Sequence, residues 1–289
     1  MTRVDERFSE AARRLLQHGF LEADVPGAQV RPRWEDGVPA RTKYLPQQVF
    51  SYEPGEVPLI HYRRIAWKTA IRELLWIYQD HSNDVQLLKE KYNVHYWDSW
   101  QDEKGTLGTA YGYQIAKRFR SPENGEMTNQ IDRLIHELRT NPLNRRLFMT
   151  LLDMDDLADM TLIPCAFMTL WTVTENRLNC TLIQRSGDFL AAASPGGINA
   201  FQYYVLLRMI AQVTGYQPGQ FVHFVQNLHI YDRHEAILRK VLEVDVSDKR
   251  LPELKINPER KEFGDFREED FELIGYEPDR TAYSIPIAI

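Results

Sequence analysis

The hydrophobic period of the chain changes near residue 147, and that change constrains the fold more than any other feature. Before it, apolar residues recur at helical spacing. Val4 to His18 (Phe8, Ala11, Ala12, Leu15, Leu16) predicts an amphipathic helix stopped by Gly19. Ile65 to Tyr78, Asn83 to Tyr92 and Thr128 to Leu138 repeat the pattern. After it, Leu147 to Leu152 reads as a short buried strand, and Ala166 to Val173 with Leu178 to Arg185 flanks a turn at Glu175-Asn176, which predicts a β-hairpin. Helix returns over Ile198 to Thr214, ended by Gly215, then strand over Phe221 to Gln226, then helix over Arg233 to Val244. Residues 22–60, rich in Pro and Gly, predict turns and short strands. This order implies an α+β fold, with helices packed on a mixed, largely antiparallel sheet. No linker-like stretch divides the chain, so one domain is expected over 1–289.

Composition narrows the function classes. An apolar fraction of 43% with 26% charged residues permits a sizeable core, and no apolar run is long enough to span a membrane. Met1 to Arg14 is charged and lacks a secretory signal, and two cysteines make no disulfide framework, so a cytoplasmic location is expected. A net charge of −6 argues against a general nucleic-acid binder but leaves anionic small molecules open, because local arginines decide those.

Cys165 follows Pro164 at the mouth of the hairpin. A three-residue loop Thr174-Glu175-Asn176 would set it opposite Arg185, and a two-residue turn would set it opposite Ser186. Beside Arg185 its thiolate would be favoured, making the sulfur a better nucleophile. The alternative is a buried structural cysteine, the reading that fits Cys180. Glu73 lies in a strong helix among Thr69, Ala70, Trp76 and Ile77, where burial would raise its pKa toward a range useful for proton transfer; a solvated helix edge is the competing reading. Arg31, Arg33, Arg145 and Arg146 are forked donors suited to phosphate, although such arginines are more often surface charge. Gly196-Gly197 lead a helix without forming a phosphate-binding fingerprint. His229 and Tyr231 are spaced to project to one side of a strand. The eight histidines show no metal-ligand spacing, so no metal is assigned.

The order of these features resembles the thymidylate synthase family. IRELLWIYQ carrying Glu73, VHYWDSW (Val94 to Trp100) and Tyr111-Gly112 come first. NRR at 144–146, PC at 164–165, QRSGD at 184–188, IN and QY across 198–203, HIY at 229–231 and the terminal PIAI follow in the family's sequence. The similarity runs from about residue 30 to Ile289.

The resemblance implies an enzyme that converts dUMP to dTMP with 5,10-methylenetetrahydrofolate as one-carbon and hydride donor, releasing dihydrofolate. It casts Cys165 as the nucleophile at C6 of the pyrimidine, with Glu73 and Tyr111 in proton movement and Arg185 touching both sulfur and phosphate. Arg31, Gln184 and Ser186 fall on the nucleotide side, with Arg145 and Arg146 lent by the second subunit of a homodimer. Asn199 reads the pyrimidine, His229 and Tyr231 hold the sugar, and Asp188, Trp97 and Ile289 serve the reduced folate. Ala166, Met168, Leu170 and Asn227 depart from the family's common residues, and the interval from Asp188 to Asn199 is about three residues longer. A nucleotide hydroxymethylase on the same fold, or a silent nucleotide- or RNA-binding relative, are the competing readings. Asn199 favours uracil, and retention of Cys165, Glu73 and Arg185 together favours catalysis.

Overall fold

The computed structural model describes residues 1–289. The first helix, Arg3–His18, starts at a reciprocal cap in which the Thr2 hydroxyl accepts from the Asp5 N–H and the Asp5 carboxylate answers the Thr2 N–H. Its buried stripe is the expected Phe8, Ala11, Ala12, Leu15 and Leu16. The helices Trp67–Tyr78, Val85–Tyr92 and Gln130–Thr140 occupy three predicted segments, the last two capped by Asp84 and Asn129. Ile198–Thr214 is buried around most of its circumference and stops at Gly215, whose φ of 82° needs no Cβ to be avoided.

A seven-stranded sheet runs in the order Phe20–Leu21, Thr42–Tyr52, Gln217–Tyr231, Arg177–Gln184, Ala166–Thr174, Phe148–Thr150, with Gly187–Asp188 pairing onto Gln217–Tyr231. Gln217–Tyr231 is parallel to Arg177–Gln184 and to Gly187–Asp188, and the remaining pairs are antiparallel. The fold is therefore α+β with a mixed, largely antiparallel sheet. One hydrophobic cluster runs from Val4 to Phe271, joining the first helix to the last strands.

Two differences from the sequence reading bear on the site. Thr42–Tyr52 is a single eleven-residue strand where short pieces are expected, and Gln217–Tyr231 is fifteen residues long, well beyond Phe221 to Gln226. The two zip together from Thr42↔Tyr231 to Tyr52↔Phe221. That pairing extends the central strand far enough to carry His229 and Tyr231 to its end.

The hairpin also decides between the two loop lengths left open by the sequence. Thr174 pairs with Arg177, so the turn is the two-residue Glu175-Asn176, with φ of 55° at Glu175. That register alone would bring Ser186 opposite Cys165. A bulge between Ala166 and Met168 shifts it by one, Ala166 pairs with Gln184, and the Arg185 N–H donates to the Cys165 carbonyl at 2.9 Å. Cys165 thus faces Arg185, through the two-residue alternative with a bulge rather than through the three-residue loop.

Candidate active site

Cys165 lies one residue before the bulged strand, where the hairpin opens. Arg185 Nη2 stands 3.8 Å from its sulfur, and Arg185 Nε donates to the Pro164 carbonyl at 3.1 Å. A further bond from Nη2 to the Ile163 carbonyl closes the guanidinium over the loop. Arg185 is therefore clamped by backbone acceptors rather than by a carboxylate, and its positive charge is left uncancelled. Burial pushes the Cys165 thiol up, and Arg185 opposes that push without overcoming it. Arg185 therefore acts in the expected direction, toward thiolate, while desolvation is the larger effect.

Glu73 is 6% exposed, so the solvated-edge reading fails. Its neighbour Arg72 turns away to Glu268 at 2.5 Å. The carboxylate accepts from Trp97 Nε1 at 2.6 Å and from Gln202 Nε2 at 2.7 Å. Tyr96, 39% exposed as a residue, also turns its hydroxyl to that group. Burial raises the Glu73 pKa in spite of these three donors. Gln202 stands in the 198–203 motif, but sequence reasoning gave it no role. The available signal was a lone amide in the otherwise apolar run Ala200 to Leu207.

Tyr111 joins the two centres. Burial, and then the proximity of Cys165 and Glu73, raise its hydroxyl well above the ordinary phenol range. Its ring meets Trp97 edge-on, centroids 4.9 Å apart. Its backbone is at φ 53°, ψ −116°, a conformation uncommon for any residue with a Cβ, and such strain concentrates at functional sites. The next residue has to be glycine, because a Cβ at Gly112 would lie 2.0 Å from the Ser82 carbonyl oxygen. Tyr203 approaches from the opposite helix, donating to the Ala166 carbonyl at 3.3 Å.

Gln184 and Asn199 form the floor. Gln184 Nε2 donates to Asn199 Oδ1 at 3.2 Å and to the Ser186 carbonyl at 2.9 Å, and Gln184 Oε1 meets His223 Nε2 at 2.8 Å. Every polar atom of the Gln184 amide is therefore engaged within the protein. His223, on an inward-facing strand position between Phe221 and Val225, is a second residue that sequence reading passed over.

The far wall comes from the end of the central strand. His229 Nδ1 lies 3.0 Å from Asn227 Oδ1, and the His229 and Tyr231 rings meet edge-on at 5.2 Å. Burial lowers the His229 pKa. Tyr231 is pushed up to about 12 by burial, and the charges of Asp188 and Cys165 add to the rise. Asp188 Oδ1 caps the turn Phe189–Ala193 through the Leu190 and Ala191 N–H groups and approaches His234 Nδ1 at 3.5 Å. Burial pushes the Asp188 carboxyl up, but His234, His229 and the Ala191 N–H together more than offset it and hold the group below the usual carboxylate range. The longer interval after Asp188 is folded into that turn and a tight Ser194-Pro195-Gly196-Gly197 loop. Gly196, at φ 70°, lies where a Cβ would meet Val4 at 2.5 Å, and its N–H donates to the Tyr52 hydroxyl.

Other sequence candidates lie on the rim. Arg31, Arg145 and Arg146 are exposed, and no structural contact draws them into the Cys165 cluster. The Arg145-Arg146 backbone is nevertheless braced: Arg133 donates to the Arg146 carbonyl at 3.1 Å while gripping Glu123, and the Arg146 N–H donates to Asn144 Oδ1. Ile289 pairs its backbone with Arg33 at 2.7 and 2.9 Å, and His234 Nε2 meets the Pro286 carbonyl at 2.7 Å, so the C-terminal segment closes over the Asp188 end.

The sequence model of the family described as "Thymidylate synthase" matches residues 6–289. A thymidylate synthase of Bacillus mojavensis is 40% identical over 289 residues, covering 99% of this chain and 100% of that protein. A thymidylate synthase of Bacillus phage phi3T is 41% identical over 277 residues, 96% of each. The solved structure of a thermostable thymidylate synthase A from Bacillus subtilis superposes with a TM-score of 0.91 at 38% identity, covering 100% of both chains.

Proposed function

The chain belongs to the thymidylate synthase family, and from that premise we propose that its single catalytic domain, residues 1–289, methylates dUMP through Cys165. The enzyme is a methyltransferase that converts dUMP to dTMP. The observation that carries the residue assignment is the position of the Cys165 sulfur, 3.8 Å from an uncompensated guanidinium, with Tyr111 close enough to feel the charge of both Cys165 and Glu73.

On this reading Cys165 Sγ attacks C6 of the uracil ring, and C5 becomes nucleophilic. A resting thiol has to lose its proton first. The Arg185 charge lowers the cost of that loss as the nucleotide fills the pocket. Arg185, Arg31 and Ser186 bind the phosphate. Asn199 accepts from N3–H and donates to O4. Glu73, with its raised pKa, and the Tyr111 hydroxyl move protons near O4 and C5. His229 and Tyr231 hold the sugar hydroxyl.

5,10-Methylenetetrahydrofolate supplies the one-carbon unit and the hydride. The residues fit a polycyclic amide-bearing ring. Trp97 presents a flat indole edge to Tyr111 and Trp100, and Asp188 has Oδ1 occupied while Oδ2 is left to accept ligand N–H groups. The segment ending at Ile289 closes that side.

A homodimer supplies Arg145 and Arg146 to the partner's phosphate site. The support is an apolar row across the outer face of the sheet, Val49, Phe224, Ile183 and Met168, aligned in register, with Phe148 and Leu170 beside it at 43% and 41% exposure. A sheet face of that kind suits a second copy of the same chain. No helix is long and apolar enough to cross a membrane, and we place the enzyme in the cytoplasm.

The test mixes purified protein with dUMP and methylenetetrahydrofolate, follows dihydrofolate by absorbance and identifies the nucleotide by mass. Dihydrofolate formed one-for-one with dTMP is expected. A hydroxymethylated nucleotide with tetrahydrofolate released would overturn the proposal.

A further inference from the structure

Asn199 can select uracil only if its amide points one way. Uracil offers an acceptor at O4 and a donor at N3. Cytosine offers the reverse, and an amide turned by half a revolution would suit it equally well. Selection therefore needs something that fixes which end of Asn199 is oxygen. Gln184 does this, because its Nε2 donates to Asn199 Oδ1 at 3.2 Å.

Gln184 could itself turn over, were it not for two neighbours. The Ser186 carbonyl, 2.9 Å from Nε2, can only accept. On the other side His223 Nε2 stands 2.8 Å from Oε1, where only an N–H is compatible. The His223 ring is fully buried and its Nδ1 has no partner. Burial holds its pKa down to about 3, so the imidazole is neutral and carries one proton. The partnered nitrogen is the one that carries it.

We infer that His223 is a positioning residue for base selection: its Nε2–H fixes the Gln184 amide, which fixes Asn199 with its donor toward O4 and its acceptor toward N3. The inference rests on the reading of Asn199 as the pyrimidine-contacting residue. Turning Asn199 over for cytosine would set its Nδ2 against Gln184 Nε2, donor against donor. Turning Gln184 over to relieve that would set Oε1 against the Ser186 carbonyl and Nε2 against the His223 N–H. A cytosine nucleotide therefore disrupts the whole buried chain rather than one bond.

The test is equilibrium binding of dUMP and of dCMP to the full-length protein, read as the ratio of the two affinities. His223→Phe removes the donor and should cut the dUMP preference by about tenfold. His223→Gln, which can still donate from an amide, should retain most of it. Gln184→Glu offers only acceptors, should draw the Asn199 amide round, and should turn the preference toward dCMP; it decides the matter if His223→Phe does not fold. In the wild type, ¹⁵N resonances of labelled histidine should show His223 as the neutral Nε2–H tautomer across neutral pH. A ratio in folded His223→Phe within about twofold of wild type, a dUMP preference kept by Gln184→Glu, or an Nδ1–H tautomer would each overturn the inference alone. A wild-type protein with no preference between dUMP and dCMP would overturn the nucleotide reading beneath it, and the inference with it.

Discussion

Cys165 and Cys180 are fifteen residues apart on the same hairpin, and burial raises the pKa of both thiols. Cys180 sits in the middle of its strand opposite Trp171, 1% exposed, with nothing to offset desolvation. Cys165 sits where the ladder ends, partly open to solvent, with Arg185 at 3.8 Å and Tyr111 alongside. The difference shows that a cysteine in a sheet becomes a nucleophile through its place in the ladder. Mid-strand, both neighbouring strands shut out substrate and cation alike. At the bulged end, the strand regularity lapses and both can reach the sulfur.

Four substitutions probe that difference. Cys165→Ser should lower turnover by at least about a thousandfold with an unchanged melting temperature; substantial residual dTMP formation would remove the contrast. Glu73→Gln leaves the hydrogen-bonding shape but cannot take a proton, and should lower kcat by about a hundredfold or more. An effect confined to KM for the nucleotide would make Glu73 a binding group only. Arg185→Ala should slow alkylation of Cys165 at neutral pH by about tenfold, corresponding to roughly one unit of pKa. Because burial has already raised that thiol, wild-type alkylation should keep accelerating as pH rises past the ordinary thiol range, and the variant's profile should lie further toward alkali. A profile that Arg185→Ala leaves unmoved would show that the guanidinium serves the phosphate alone. Cys180→Ser should leave turnover nearly intact while destabilising the fold by about 1–3 kcal/mol through a buried hydroxyl, measured by urea denaturation.

How much of this was legible in the sequence varies by residue, for physical reasons. Ile198–Thr214 is readable to its ends because a continuous apolar run and a terminal glycine are local signals. Thr42–Tyr52 is not. Pro46 and the left-handed Gln47 interrupt its pattern, and its stability comes from pairing with a strand about 180 residues away. The Cys165–Arg185 pairing was one of two registers the sequence allowed, tied there to a three-residue loop. A two-residue turn and a bulge near Phe167 give the same register, and a bulge leaves little trace in residue types. The state of the Cys165 thiol depends on how completely it is desolvated, which spacing does not report. Glu73 posed the same difficulty: its burial is set by Trp97 and by Gln202, 129 residues distant in sequence. His223 had a usable signal, a polar residue at inward parity in a strand, although parity alone does not reveal that its partner is Gln184.

The two cysteines should differ in the folded protein, and differential alkylation tests that directly. The native chain would be treated with iodoacetamide, with and without dUMP, and both cysteine-bearing peptides followed by mass. Modification confined to Cys165 and suppressed by dUMP is the predicted result. Modification of Cys180 at a comparable rate, or of Cys165 at a rate indifferent to dUMP, would contradict it.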